Sequence, residues 1–254
     1  MLLKNIKKKR EDFVLKQILL IPILSSFLLA DFIGAELHVG AWMVNPSGSL
    51  KTPINEISLE NDLGLYLNKS LQGEIKFEHP VPLIPNLMIS HTRIKHEASE
   101  NISQDIDILG RTFNIQDNVN SSISLSMTDA TIYYEILDNW LSADIGLTAR
   151  KIDGELTLNS SIENYKNDLS IVLPMLYGSA SLEIPTTDLK FTASLNYFSY
   201  DDNVVYDMKC GARVNWTLIG VEAGYRKFKI NSEMNDLKLV TSFQGFYTNF
   251  VLDF

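Results

Sequence analysis

From residue 36 onward, apolar and polar side chains alternate with a period of two, and this pattern constrains the fold more than any other feature of the chain. Successive side chains of a β-strand point to opposite faces, so the alternation predicts strands with one apolar and one polar face. Segment 206–216 is the clearest case, and its apolar face carries Tyr206, Met208, Cys210, Ala212, Val214 and Trp216. Its polar face carries Asp207, Lys209, Gly211, Arg213 and Asn215. We therefore predict an all-β fold.

Short and long connections alternate between the predicted strands. Turn-forming residues mark short connections, and longer polar stretches mark the others. This division predicts ten strands, with eight as the alternative, at 36–45, 70–79, 86–97, 121–137, 140–152, 169–184, 187–200, 203–216, 219–230 and 237–254. The predicted architecture is an antiparallel up-and-down transmembrane β-barrel. In the fourth strand Leu125 and Met127 are out of phase with Ile132 and Tyr134, which indicates a bulge or a change of environment.

Residues 1–35 differ from the rest of the chain. Six basic residues precede an apolar stretch at 18–30, and the small residues Gly34 and Ala35 follow it. This order is typical of a secretory signal peptide, so we predict cleavage after Ala35 or after Ala30, with the barrel at 36–254. The alternative is a membrane anchor, but the stretch is shorter than the roughly 20 residues of a helical span.

The charge balance excludes one class of partner. The formal net charge is −9, and cleavage after Ala35 leaves 16 basic and 28 acidic residues, a net charge of −12. Binding to phosphate backbones needs a basic surface, so we expect no nucleic acid partner. The single cysteine, Cys210, excludes an intramolecular disulfide and a multi-cysteine metal site.

Two features orient the apolar faces toward lipid. They carry small residues such as Ala143, Ala193, Ala212 and Ala223, which fit lipid contact at least as well as the interior of a soluble barrel, where large side chains are needed to fill the space. The last strand ends in an aromatic residue, as do the strands that the Gram-negative barrel-assembly machinery recognises, and the face that forms this assembly signal carries Phe246, Phe250, Leu252 and Phe254. Aromatic residues that suit the girdles of a membrane barrel are Tyr134, Trp140, Tyr197, Tyr206, Trp216 and Tyr225. We expect a monomer in the outer membrane, with outer-membrane lipid, lipopolysaccharide and the barrel-assembly machinery as partners.

The opposite faces carry charges that would line the lumen. This predicted set consists of Glu74, Lys76, Glu78, Asp129, Glu135, Asp144, Arg150, Glu183, Lys190, Asp207, Lys209, Arg213, Glu222 and Arg226. One interpretation is a salt-bridge network that fills the barrel, because unpaired charge in a confined interior is costly. The other is a weakly cation-preferring passage. A ten-stranded barrel is only slightly wider than an eight-stranded one that side chains fill, which favours the network.

A search for catalytic groups finds little. The histidines are His38, His79, His91 and His96, and a hydrolase would need one of them beside its nucleophile. Ser90 and His91 are adjacent in a predicted strand and would point to opposite faces. We expect no catalytic residue, no metal site and no cofactor.

Three functional hypotheses follow from these features. The first is a non-enzymatic outer-membrane barrel, either structural or a narrow, porin-like passage for small solutes. The second is an outer-membrane hydrolase of lipids or lipopolysaccharide. The third is a secreted soluble barrel that binds an apolar ligand.

Several stretches resemble a known family. They are TDATIYYEILDNW at 128–140, DIGLTAR at 144–150, VLPMLYG at 172–178 and VEAGYR at 221–226, with Glu78-His79-Pro80 before the first short turn. They are similar to a proteobacterial outer-membrane β-barrel family characterised by a Gly-Gly feature. The resemblance covers nearly the whole predicted mature chain and implies a small barrel in the outer membrane, with no particular activity. This chain departs from the family in having no Gly-Gly pair.

Overall fold

The computed structural model describes residues 34–51, 56–62, 64–81, 83–101, 106–108, 111–113, 118–160, 164–234 and 237–254. The predicted signal peptide therefore lies outside the described residues, apart from Gly34 and Ala35. In the described part of the chain, the strands are β1 (Gly34–Lys51), β2 (Glu56–Ser58), β3 (Asn68–Glu78), β4 (Asn86–Asn101), β5 (Ile106–Ile108), β6 (Arg111–Phe113), β7 (Asn118–Leu137), β8 (Leu141–Asn159), β9 (Asn164–Glu183), β10 (Leu189–Tyr200), β11 (Asn203–Trp216), β12 (Ile219–Met234) and β13 (Leu237–Asp253). Among these residues, no helix has the length and apolar character of a membrane span.

Ten of the described strands close into one barrel. Each long strand pairs antiparallel with the next long strand along the chain, and β13 pairs with β1 to complete the wall. The closing register runs from Glu36 opposite Asp253 to Lys51 opposite Lys238. The short strand β2 pairs antiparallel with the last residues of β1, and β5 and β6 pair with each other in a separate two-stranded sheet. The predicted up-and-down barrel and its count of ten strands are confirmed.

The barrel has two ends, which we name by their connections. The turn end carries the short turns that follow β3, β7, β9 and β11, and the loop end carries the other connections. Both ends of the described chain lie at the turn end, where the Ala35 and Phe254 backbones exchange two hydrogen bonds of 3.2 and 2.9 Å. In outer-membrane barrels short turns face the periplasm and longer loops face the exterior.

The two faces of the wall differ in the way that the alternation predicts. On β13, Phe246 and Phe250 are each 70% exposed on the outside, whereas Tyr247, Asn249 and Val251 are buried inside. Across the whole wall, large apolar side chains form an exposed outer band, and most charged side chains of the turn-end half point inward. A soluble barrel requires the inverse arrangement, because its only apolar environment is its interior.

The strands continue beyond the lengths that the sequence predicts. β7 and β9 have 20 residues each, about twice the 9–11 residues that cross a membrane. β1 was expected to end at residue 45, before a polar stretch that begins with Pro46, but it continues to Lys51. A strand that leaves lipid keeps its backbone pairing while its outward side chains become polar, and such a segment resembles a loop in sequence.

The phase change in β7 has the same origin. Pairing with β8 is regular from Asn120 to Glu135, and the irregularity lies farther on, between Glu135 and Leu137. Leu125 and Met127 point inward and are buried, whereas Ile132 points outward and is exposed. The orientation of the strand is therefore constant, and the environment changes: near the loop end the barrel interior is apolar and the outside is polar.

Candidate functional site

Four charged side chains form the centre of the lumen. Arg150 donates from Nε and Nη2 to both carboxylate oxygens of Asp129, at 2.7 and 2.6 Å, and its Nη2 also lies 2.9 Å from Asp207. Arg226 donates from Nε and Nη2 to both carboxylate oxygens of the same Asp207, at 3.0 and 2.7 Å. Asp207 therefore joins two arginines. All four side chains are almost fully buried, so their charges are stable only as a paired set.

The two arginines also border an apolar region. The guanidinium carbon of Arg226 lies 4.6 Å from the ring centroid of Trp42, and that of Arg150 lies 5.4 Å from the ring of Phe228. Cations stack favourably on aromatic faces, more so when both are shielded from water. The remaining nitrogen of Arg226, Nη1, donates to Gln72 and Thr92, at 3.0 and 2.9 Å. The cluster of four charged side chains thus borders the aromatic rings of Trp42 and Phe228.

A second cluster lies nearer the turn end. Arg213 Nη1 donates to Glu36 at 2.7 Å, and Lys76 Nζ lies 3.4 Å from the same carboxylate. Lys76 also approaches Glu74 at 3.9 Å, and Lys209 Nζ donates to Glu74 at 3.1 Å. Each carboxylate here has two cationic neighbours or more, so the cluster continues the paired network.

His38 connects this cluster to Glu222. Its Nε2 contacts Glu36, and its Nδ1 lies 3.4 Å from Glu222. Glu222 also accepts hydrogen bonds from Tyr247 at 2.9 Å and Asn249 at 3.1 Å. The imidazole is therefore held between two carboxylates, and Glu222 is saturated with donors.

These groups surround a polar cavity of about 270 Å³ in the turn-end half of the barrel, and all fourteen predicted lumen charges line it. Their partners include uncharged groups, because Tyr133 donates to Glu78 at 2.8 Å and Ser179 donates to Asp144 at 2.5 Å. The lining also contains two carboxylates and a histidine that were not among the predicted lumen charges, Glu36, His38 and Asp253. The alternation could have found them, because Glu36 and His38 alternate with the outward-facing Leu37 and Val39.

An apolar layer separates this cavity from the loop end. It consists of Trp42, Val44, Ile94, Leu125, Met127, Ile152, Leu173, Met175, Val205, Phe228, Phe243 and Tyr247, all buried. The order along β8 shows its position: Arg150 lines the cavity, Ile152 belongs to the layer, and Leu158 lies farther toward the loop end. The interior of the barrel is therefore closed by side chains above the cavity.

The first loop adds a second closure. Ile57, Leu59 and Leu65 fold back over the loop end and are buried against Val119 of β7 and Leu158 of β8. The Leu59 N–H donates to the Gly48 carbonyl at 3.0 Å, which attaches this loop to β1. We name this cluster the loop cover.

The other histidines lie apart from the cavity. His79 lies in the turn after β3, and its ring contacts the Val81 N–H and the Pro85 carbonyl. His96 is buried.

His91 lies on the outer surface, where its Nδ1 is 2.9 Å from the Thr128 hydroxyl. Ser90 points inward to Asp129 at 3.4 Å, on the opposite face. Thr128 is thus a hydroxyl partner of His91 that strand alternation alone does not predict.

The side chains of the predicted assembly signal lie on the outer surface. Phe246, Phe250, Leu252 and Phe254 are all exposed. Phe246 packs edge-on against Tyr225 of the neighbouring strand, with ring centroids 5.5 Å apart. Tyr134, Trp140, Tyr197 and Trp216, predicted for the girdles, are exposed as well.

A closed antiparallel barrel with an apolar outer band and a charged interior has the fold of the outer-membrane β-barrels. The chain is similar in structure to the outer membrane protease OmpT from Escherichia coli, with a TM-score of 0.54 at 11% identity, over 88% of this chain and 96% of that chain. It also aligns with the translocator domain of the autotransporter NalP from Neisseria meningitidis, with a TM-score of 0.49 at 13% identity, over 94% of this chain and 95% of that chain. No protein family profile and no curated protein matches the sequence. At these identities the likeness concerns the fold alone.

Proposed function

We propose that this protein is a non-enzymatic integral outer-membrane β-barrel with a closed lumen, and that it serves as a structural component of the membrane. The observation that carries this proposal is the apolar layer with the loop cover above it. A passage for ions or polar solutes needs a continuous polar path, and an apolar constriction of this kind excludes water. The charges of the cavity are consistent with this role, because they are largely used in pairing with one another.

Planar-bilayer recording tests the closed lumen. We expect wild-type protein to give no conductance steps, because neither water nor ions can cross the apolar layer. Heat-modifiable gel migration of protein recovered from the same membranes provides the control for insertion. Discrete steps whose ion selectivity changes in Arg213→Glu would contradict the proposal and establish the charge-lined passage, since Arg213 lines the cavity.

A lipid hydrolase is the second candidate, and one observation favours it. The Thr128 hydroxyl and the His91 imidazole are in contact on the outer surface, within reach of lipid. A catalytic triad also needs a group that orients the histidine, and among the described residues no carboxylate forms an ion pair or hydrogen bond with His91. This pair is therefore better explained as a cross-strand hydrogen bond.

Assays with phospholipid and lipopolysaccharide acyl esters separate these candidates. We expect no hydrolysis above the background of empty micelles, because His91 has no carboxylate among the described residues that would orient it toward the Thr128 hydroxyl. Hydrolysis that disappears in His91→Ala and persists in His96→Ala would establish the enzyme. His96 is the matched control, since it lies on the same strand and points into the barrel.

The barrel-assembly machinery is the partner that we propose for the carboxyl-terminal strand. Phe254→Ala should lower the amount of barrel in the outer membrane, because it removes the terminal aromatic side chain while the backbone bonds to Ala35 remain. Phe191→Ala is the matched control, as Phe191 is also an outward-facing phenylalanine but lies in mid-chain. Immunoblots of outer-membrane fractions measure the amount of folded barrel for both variants. Equal losses for the two would argue against a terminal signal.

A further inference from the structure

The outer surface of β3, β4, β7 and β8 is organised in rows, because residues opposite one another in the register share a face. Ile89 of β4 lies opposite Ile75 of β3 and Ala130 of β7. The next row toward the turn end contains Phe77, Leu87, Ile132 and Leu147. Both rows belong to the apolar outer band, which meets the hydrocarbon chains of lipid.

The rows change character abruptly toward the loop end. The first row above Ile89 contains His91, Thr128 and Lys151. The second places Arg93 between Leu71 of β3 and Ser126 of β7. Lys69 is two residues beyond Leu71 and Lys95 is two residues beyond Arg93, so both flank Arg93 on the same face. We name Lys69, Arg93 and Lys95 the basic patch.

The basic patch is unusual in a chain with a net charge of −9. Arg93 and Lys69 are exposed, and in the described part of the chain neither forms an ion pair. Lys95 pairs with Glu97 at 2.6 Å. The row of Arg93 and Ser126 continues to Asp153 of β8, which pairs with Lys151 at 2.8 Å. On β3 and β4, Lys69, Arg93 and Lys95 face the outside with Glu97 as their acidic neighbour, so this part of the surface presents an excess of cations next to the apolar band.

We infer that the basic patch binds the phosphate groups of lipopolysaccharide, the phosphorylated glycolipid of the outer leaflet. Arginine pairs with phosphate through two parallel N–H donors, and neighbouring lysines and serine hydroxyls supply further bonds. The acyl chains of the same molecule would lie on the apolar rows of Ile89 and Leu87. An amphiphile with anionic groups at this height matches both surfaces at once, whereas a soluble anion would use the patch alone. This inference rests on the proposed outer-membrane location.

The test uses the full barrel, delipidated in detergent micelles, and bisphosphorylated lipid A as the probe. Lipid A should raise the temperature of the heat-modifiable transition, because a ligand that binds only the folded state stabilises it. In the Lys69→Gln/Arg93→Gln variant we expect binding to weaken on the order of tenfold, since each cation near an anionic lipid contributes measurably. The matched control is Lys166→Gln/Lys238→Gln, which removes two exposed lysines outside the patch that pair with Glu155 and Glu233.

Three outcomes would overturn the inference. Equal binding by the patch variant and the wild type would show that the patch is not used. Equal stabilisation by lipid A stripped of its phosphates would assign the effect to the apolar rows. Equal stabilisation by inorganic phosphate or phosphatidylglycerol would show that the patch does not select lipopolysaccharide. The binding test and the bilayer recording are independent. Absence of lipid A binding would not contradict the closed lumen, and conductance steps would not contradict lipid A binding at the basic patch.

Discussion

Asp207→Asn should destabilise the barrel by about 3–5 kcal/mol, the range expected when one partner of a buried ion pair is removed. Asp207 accepts from Arg150 and Arg226 together, so its neutral replacement leaves two buried guanidinium groups with half of their counter-charge. Urea-dependent unfolding of the barrel in micelles measures the change. Asp129→Asn should cost less, because among the described residues Asp129 forms an ion pair with one arginine, Arg150, rather than with two.

Asp153→Asn is the matched control for Asp207→Asn. Asp153 pairs with Lys151 at 2.8 Å, but both side chains are about half exposed, and exposed pairs contribute about 0–1 kcal/mol. A double-mutant cycle of Asp207→Asn with Arg226→Gln should be strongly non-additive, because the two side chains share one network. A loss below about 1 kcal/mol for Asp207→Asn, outside the range for breaking a buried pair, would show that water enters and solvates the arginines.

Trp42→Ala should destabilise the barrel by about 3–5 kcal/mol, as is typical for truncation of a large buried aromatic residue. Trp42 is 0% exposed, its Nε1 donates to the Gly245 carbonyl at 3.2 Å, and its ring covers Arg226. The alanine variant therefore loses packing in the apolar layer and the aromatic surface above a buried cation. The same unfolding assay measures this loss.

Two further variants control for Trp42→Ala. Trp42→Phe keeps a ring above Arg226 and should recover a large part of the stability. Tyr66→Ala removes an exposed aromatic residue of the first loop and should stay within about 0.5 kcal/mol of the wild type. If Trp42→Ala and Tyr66→Ala were equally mild, the apolar layer would not be the tightly packed closure that the structure describes.

Local alternation predicted much of the fold, but it failed at the loop end. The inward positions of Asp207 and Arg213 follow from their alternation with the outward-facing Met208 and Val214 on β11, and that of Arg226 follows from its alternation with the outward-facing Tyr225 on β12. The extension of β1 past Pro46 was missed, because proline and polar residues usually mark the end of a strand. Here Pro46 lies opposite Phe243 within the continued ladder.

The partners of the lumen charges could not be predicted in the same way. Lys209 and Glu74 meet at 3.1 Å although 135 residues separate them in sequence. Alternation states which face a side chain occupies, and it contains no information on which distant strand faces it across the lumen. That depends on barrel closure and strand tilt, which are properties of the whole wall. The contact between Thr128 and His91 likewise needed the register of β4 with β7.

By itself, the sequence determined a barrel of about ten strands with one apolar and one polar face, because a strand has a period of two. The small apolar residues and the aromatic end of the last strand then indicated that the apolar face lies outside. Only the tertiary structure decided that the interior is closed. Trp42 shares its inward face with Glu36 and His38, and no local pattern distinguishes a side chain that blocks the lumen from one that lines it. The blockage arises where side chains of several strands, distant in sequence, meet at one height in the barrel.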